Sequence, residues 1–140
     1  MAAIQFRREH IEAIVAHARE AAPAECCGLI GGSADSLVAN IYPLRNVTDK
    51  PEHSYEAAPE DLFSAQRQMR DLGEQLLAIY HSHPKAKDPS PSETDVRQAY
   101  YPAATYVIVG LGGDEPVVRA FHISERHRSW HPVEYVITDE

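Results

Sequence analysis

Apolar residues early in the chain recur at helical spacing, and later they bunch into short runs. Ile11, Ile14, Val15 and Ala18 fall at i, i+3, i+4 and i+7 with charges between them, which predicts a helix over residues 7–22. Pro23 ends it. Residues 26–30 then read as a buried strand. Gly31-Gly32-Ser33-Ala34-Asp35 supplies a hairpin turn into a second strand over 36–44. Residues 46–58 are polar and aperiodic, as expected of a loop. Pro59 suits the first position of a second helix, with Glu60 and Asp61 in the turn where acidic groups complement the helix dipole. That helix should run to about residue 72 and stop at Gly73.

Residues 76–83 are apolar on both faces before two histidines, the pattern of a central strand covered on both sides. A proline-spaced loop over 85–91 leads to a short helix from residue 92 to about 100. Runs at 105–111, 117–123 and 133–138 are β-branched or aromatic and predict three more strands. This order of helices and strands implies an α/β (α+β) fold, with a single mixed central sheet flanked by helices. With 140 residues and no repeat or linker, the expectation is one domain over 1–140.

Composition narrows the function classes. The apolar share of 44% is that of an ordinary globular protein. A formal net charge of -8, with no basic run longer than two residues, argues against a nucleic-acid partner. No apolar run reaches membrane-spanning length and the first residues do not read as a signal peptide, so a cytoplasmic protein without a membrane partner is expected. The two cysteines, Cys26 and Cys27, are adjacent, which suits buried packing better than a disulfide.

The chemistry concentrates between residues 81 and 95. His81 and His83 are two apart on a predicted strand and so share a face. Ser92 and Asp95 are three apart at a predicted helix start and also share a face. Two imidazoles and one carboxylate make three protein ligands, which is what a catalytic zinc takes while keeping a fourth position for water. Taken alone, Ser92-x-x-Asp95 also reads as a helix capping box, and an isolated H-x-H as core histidines.

The stretch resembles the JAMM (MPN+) zinc metalloproteases, whose motif is an upstream glutamate, then H-[ST]-H-P, seven residues, and S-x-x-D. Here His81-Ser82-His83-Pro84 is followed by seven residues and then by Ser92-Glu93-Thr94-Asp95. Glu25-Cys26-Cys27-Gly28 matches the family's E-x-C-G strand. The resemblance extends from the first helix to the strand at Tyr106-Val107-Ile108-Val109. It implies the JAMM/MPN fold, related in architecture to cytidine deaminases, of the small prokaryotic type. It further implies Zn²⁺ held by His81, His83 and Asp95, Glu25 as general base and Ser92 as oxyanion donor. The implied reaction is hydrolysis of a peptide or isopeptide bond after the C-terminal Gly-Gly of a ubiquitin-like or sulphur-carrier protein.

One departure stands out. The family commonly has an aromatic residue followed by D-P before its second helix, where this chain has Ala58-Pro59 and so lacks the capping aspartate. Two other readings are a non-catalytic MPN-type scaffold and a zinc deaminase. Scaffold members lose ligands, whereas all five positions are present here. Deaminases carry H-x-E and P-C-x-x-C, which this chain lacks. His10 and His17 lie on one face of the first helix and are expected to be solvated, and His53 lies in the polar loop. Monomer and homodimer are equally compatible with the sequence.

Overall fold

The computed structural model describes residues 3–138. The order is β1 (Ile4–Arg7), α1 (Arg8–Ala21), β2 (Cys27–Gly32), β3 (Val38–Leu44), α2 (Pro59–Asp71), β4 (Gln75–His83), α3 (Glu93–Arg97), β5 (Thr105–Gly110), β6 (Val117–Ser124), β7 (Ser129–Val133) and β8 (Tyr135–Thr138). Six strands form one mixed sheet in the order β3-β2-β4-β5-β6-β7, with β4 and β5 parallel and the other pairs antiparallel. The mixed sheet and its flanking helices are as the sequence predicts. Among the described residues no helix is long and apolar enough to cross a membrane.

The alternation of β4 splits the core in two. Ile79 packs with Cys27, Leu29, Ile108 and Phe121, covered by Ala65 and Met69 of α2 and by Val96 of α3. Ala78 and Tyr80 face the other way, onto Ile14, Val15 and Ala18 of α1. His81 therefore emerges on the α2 and α3 face, and Ser82 on the α1 face. Gly28 lies opposite Tyr80 in the ladder, and a Cβ there would overlap the Tyr80 ring. The phenol ends on His17 Nδ1, 2.7 Å away.

Several boundaries differ from the sequence reading. Residues 4–7 form a strand, β1, which pairs in parallel with β8 as a separate two-stranded sheet. The predicted strand over 133–138 is thus divided: Val133 ends β7, and Tyr135–Thr138 leaves the main sheet for β1. Local pattern cannot reveal a partner that lies at the other end of the chain. Cys27–Gly32 extends through both glycines, so the turn falls at 33–37 rather than at 31–35. The short helix closes at Arg97. His10 is buried and accepts the Arg7 N–H at 3.1 Å, and His17 holds Tyr80, so neither is the solvated residue expected. Without an aspartate at position 58, α2 still begins at Pro59. Arg45 fixes its first turn through Asp61, at 3.0 Å, and Glu60, at 2.8 Å.

Candidate metal centre

The C-terminal end of β4 brings the two histidines to the lip of the sheet. His81 is fully buried there, and its ring is stacked by Tyr55 from the 46–58 loop, with centroids 4.7 Å apart and planes at 25°. His83 follows on the same face. Asp95 reaches them from the first turn of α3. Its Oδ2 lies 3.1 Å from His81 Nε2 and 3.0 Å from His83 Nε2, and the two Nε2 atoms are 3.2 Å apart. Three donor atoms thus form a near-equilateral triangle.

Such a triangle fits a cation. Two imidazole nitrogens cannot both donate to each other, and one carboxylate oxygen already accepts the Ser92 N–H at 2.9 Å. Tetrahedral ligands about 2.05 Å from a zinc ion stand roughly 3.3 Å apart, close to the edges seen here. The donor chemistry, two borderline-soft nitrogens and one hard oxygen, suits the same ion.

Glu25 closes the site from the segment before β2. Its carboxylate groups with the two histidines, their donor atoms all lying within 4.8 Å of one another. It is 7% exposed and its Oε1 is buried with no hydrogen-bond partner. Burial raises its carboxyl above the usual range, although the neighbouring histidines pull the other way. For Asp95 burial also pushes upward, but the charge and hydrogen bonds of His81 and His83 outweigh it and hold the carboxyl well below that range. Burial lowers the His83 imidazole, and the hydrogen bond and charge of Asp95 more than reverse this, leaving it raised.

Ser92 is the N-cap of α3. Its Oγ accepts the Asp95 N–H at 3.0 Å, and Asp95 Oδ2 returns the bond to the Ser92 N–H, so the capping box is present. The cap uses a lone pair of the hydroxyl and leaves its O–H free to donate. The two readings of Ser92-x-x-Asp95 are therefore compatible in one geometry.

Three further residues support the site: the spacing already puts Ser82 on the face opposite the histidines in a supporting role, whereas sequence reasoning missed Asn46 and Tyr55. Ser82 Oγ accepts the Cys26 N–H at 2.9 Å, tying β4 to the residue after Glu25. Asn46 donates to the Glu25 carbonyl at 3.0 Å and to the Ser54 carbonyl at 3.1 Å, while its Oδ1 accepts the Glu56 N–H at 3.0 Å. Tyr55 is held over His81 by that folded loop. A lone Asn at a strand end carries no distinctive signal. His53 is exposed, outside the triangle. Cys26 and Cys27 are buried free thiols, pushed by burial to about 11 and about 12, as expected of packing residues.

The model of the prokaryotic homologs of the JAB domain matches residues 7–134. The chain belongs to this family. The desampylase of Haloferax volcanii is 37% identical over 107 residues, covering 73% of this chain and 76% of that one. The CysO-cysteine peptidase of Mycobacterium tuberculosis is 35% identical over 136 residues, covering 96% and 86%. Among solved structures, protein DSY2949 of Desulfitobacterium hafniense is 34% identical, covers 98% of this chain and 94% of its own, and superposes with a TM-score of 0.85. The fold is that of JAMM/MPN domain proteins, and the protein is a peptidase of the family.

Proposed function

We propose that this peptidase is zinc-dependent and cuts after the C-terminal Gly-Gly of a ubiquitin-like or sulphur-carrier protein. The observation that carries the reading is the convergence of His81, His83 and Asp95 beside an unpartnered, buried Glu25 carboxylate. His81, His83 and Asp95 would hold the zinc. When bound, zinc acidifies a water and polarises the scissile carbonyl.

The remaining work falls to side chains. Glu25 takes a proton from the attacking water and returns it to the leaving amine, a task suited to a carboxyl raised by burial. The free O–H of Ser92 donates to the oxygen that gains negative charge in the tetrahedral intermediate. Tyr55 holds the His81 ring by stacking and shields that side from water. Beyond Tyr55 lies a cleft of about 350 Å³, also lined by Leu62, Tyr100, Tyr101 and Tyr106. A Gly-Gly tail, lacking side chains, can lie extended in such a passage.

The names of the relatives favour this substrate class, since one is a desampylase and another a CysO-cysteine peptidase. The test is cleavage of a panel of Gly-Gly-tailed carriers, each extended at the C-terminus, against peptides lacking Gly-Gly. Selective cleavage at Gly-Gly is expected. Intact carriers alongside cleaved control peptides would overturn the substrate assignment.

A further inference from the structure

His81 and His83 belong to β4 and Asp95 to α3, whereas Glu25 belongs to no helix or strand. The sheet ladder reaches only as far as Cys27, paired with His81, two residues beyond it. The Glu25 Oε1 has no hydrogen-bond partner, so no bond to that atom aims the carboxylate. Its direction is inherited from the backbone. That backbone is gripped on both sides by the 46–58 loop. The Glu25 N–H donates to the Pro51 carbonyl at 2.7 Å, and the Glu25 carbonyl accepts Asn46 Nδ2 at 3.0 Å.

Asn46 ties that loop together. Its Nδ2 also donates to the Ser54 carbonyl at 3.1 Å, while its Oδ1 accepts the N–H groups of Thr48, at 3.2 Å, and Glu56, at 3.0 Å. Two donated and two accepted bonds are the full capacity of a carboxamide, and an aspartate of the same length could only accept. Ser54 and Glu56 flank Tyr55, whose ring stacks on His81 with centroids 4.7 Å apart. One side chain therefore joins the backbone of Glu25 to a ring that rests on a histidine of the metal centre.

The path of the loop has other ties. Val47 N–H meets the Glu56 carbonyl at 2.8 Å, Ala58 N–H meets the Arg45 carbonyl at 2.9 Å, and Arg45 is paired with Glu60 and Asp61 of α2. The link from the loop's side chains to the Glu25 carbonyl runs through Asn46. We propose that Asn46 is a positioning residue for the reaction: it holds the Glu25 backbone in the frame set by Tyr55 on His81, and so fixes where the base meets the metal centre. This rests on the reading of Glu25 as general base given above. A reacting group misplaced by about 1 Å can cost about 10²-fold in rate, so a single hydrogen bond to its backbone is enough to matter.

The test is a cycle of single and double variants of the zinc-loaded protein, assayed on whichever carrier or control peptide the wild type cuts. Asn46→Asp keeps the bonds accepted from Thr48 and Glu56 and loses those donated to Glu25 and Ser54. It should fold, hold about one zinc per chain, keep KM within about twofold and lose roughly 10–100-fold in kcat. Asn46→Ala should lose at least as much. In a Glu25→Gln background there is no base left to position, so adding Asn46→Asp should leave the residual kcat within about twofold. A residue that only supported the fold would cost the same factor in both backgrounds, and that result would overturn the inference. Wild-type kcat in Asn46→Asp would also overturn it, as would a loss carried by KM, by missing zinc or by failure of that variant to fold. Full activity in Glu25→Gln would remove the base and this inference with it, whereas an inactive Glu25→Gln beside a fully active Asn46→Asp removes the inference alone.

Discussion

Replacing Glu25 with glutamine removes one ionisable oxygen and little else. The side chain is 7% exposed, its Oε1 has no hydrogen-bond partner to lose, and glutamine is nearly isosteric. Asp95, His81 and His83 keep their 3.0–3.2 Å triangle, so zinc should remain at about one ion per chain. Turnover should not survive. A positioned general base is worth about 10²–10⁴ in rate, or roughly 2.7–5.4 kcal/mol of transition-state stabilisation. Stability should move the other way. Burial raises the Glu25 carboxyl, so the fold favours its protonated form. That contribution is complete below the unfolded value near 4.5 and is lost as pH rises through the raised folded value. At neutral pH the buried charge is a penalty, and the metal-free Glu25→Gln variant should melt above the metal-free wild type. The assay is kcat on a Gly-Gly-tailed carrier with zinc content measured on the same sample, followed by thermal melts in chelator. Full activity in the zinc-loaded variant would refute the role of Glu25, and loss of zinc would show it to be a ligand.

Other expectations follow from the same geometry. Ser92→Ala should lose about 1 kcal/mol of stability through the cap and about 10²–10³ in kcat through the missing donor; a stability loss without a rate loss would leave Ser92 a cap alone. Metal-free protein should lose stability as pH rises through the raised His83 value, because the imidazolium that Asp95 favours is then discharged. Zinc needs neutral imidazole, so the gain in Tm on adding zinc should be larger at pH 8 than at pH 6, and a constant gain would contradict the shared site. Gly112 lies against the Lys85 carbonyl in the segment that leads from His83 to Ser92, and a Cβ there would overlap it. Gly112→Ala should cost about 1–3 kcal/mol and lower kcat, while Gly113→Ala, with its nearest neighbour at 3.8 Å, should leave the melting temperature within about 1 °C. Equal melting temperatures for the two variants would refute the packing argument.

Much of this was legible before any coordinates. The parity of β4 places His81 and His83 on one face from their spacing alone, and Ser92 to Asp95 is a local signal that the capping box reproduces. Glu25 precedes His81 by fifty-six positions. No periodicity links them; only a match to the whole motif does, and the sheet joins them by pairing Cys27 with His81. What escaped the sequence depends on contacts between distant segments. The β1–β8 pair joins the two ends of the chain, and neither strand is long enough to announce itself. Tyr55 and Asn46 matter because the loop folds back on itself, from Val47 N–H to the Glu56 carbonyl at 2.8 Å, which composition cannot show.

The central claim is that three residues, His81, His83 and Asp95, hold one zinc ion on which peptidase activity depends. The most direct measurement strips the protein with a chelator, then restores zinc in steps while following cleavage of a carrier extended beyond Gly-Gly. Activity should vanish on stripping and return linearly until one zinc per chain is bound, with no recovery in Asp95→Ala. Unchanged cleavage by the stripped protein, or full recovery in Asp95→Ala, would contradict the account.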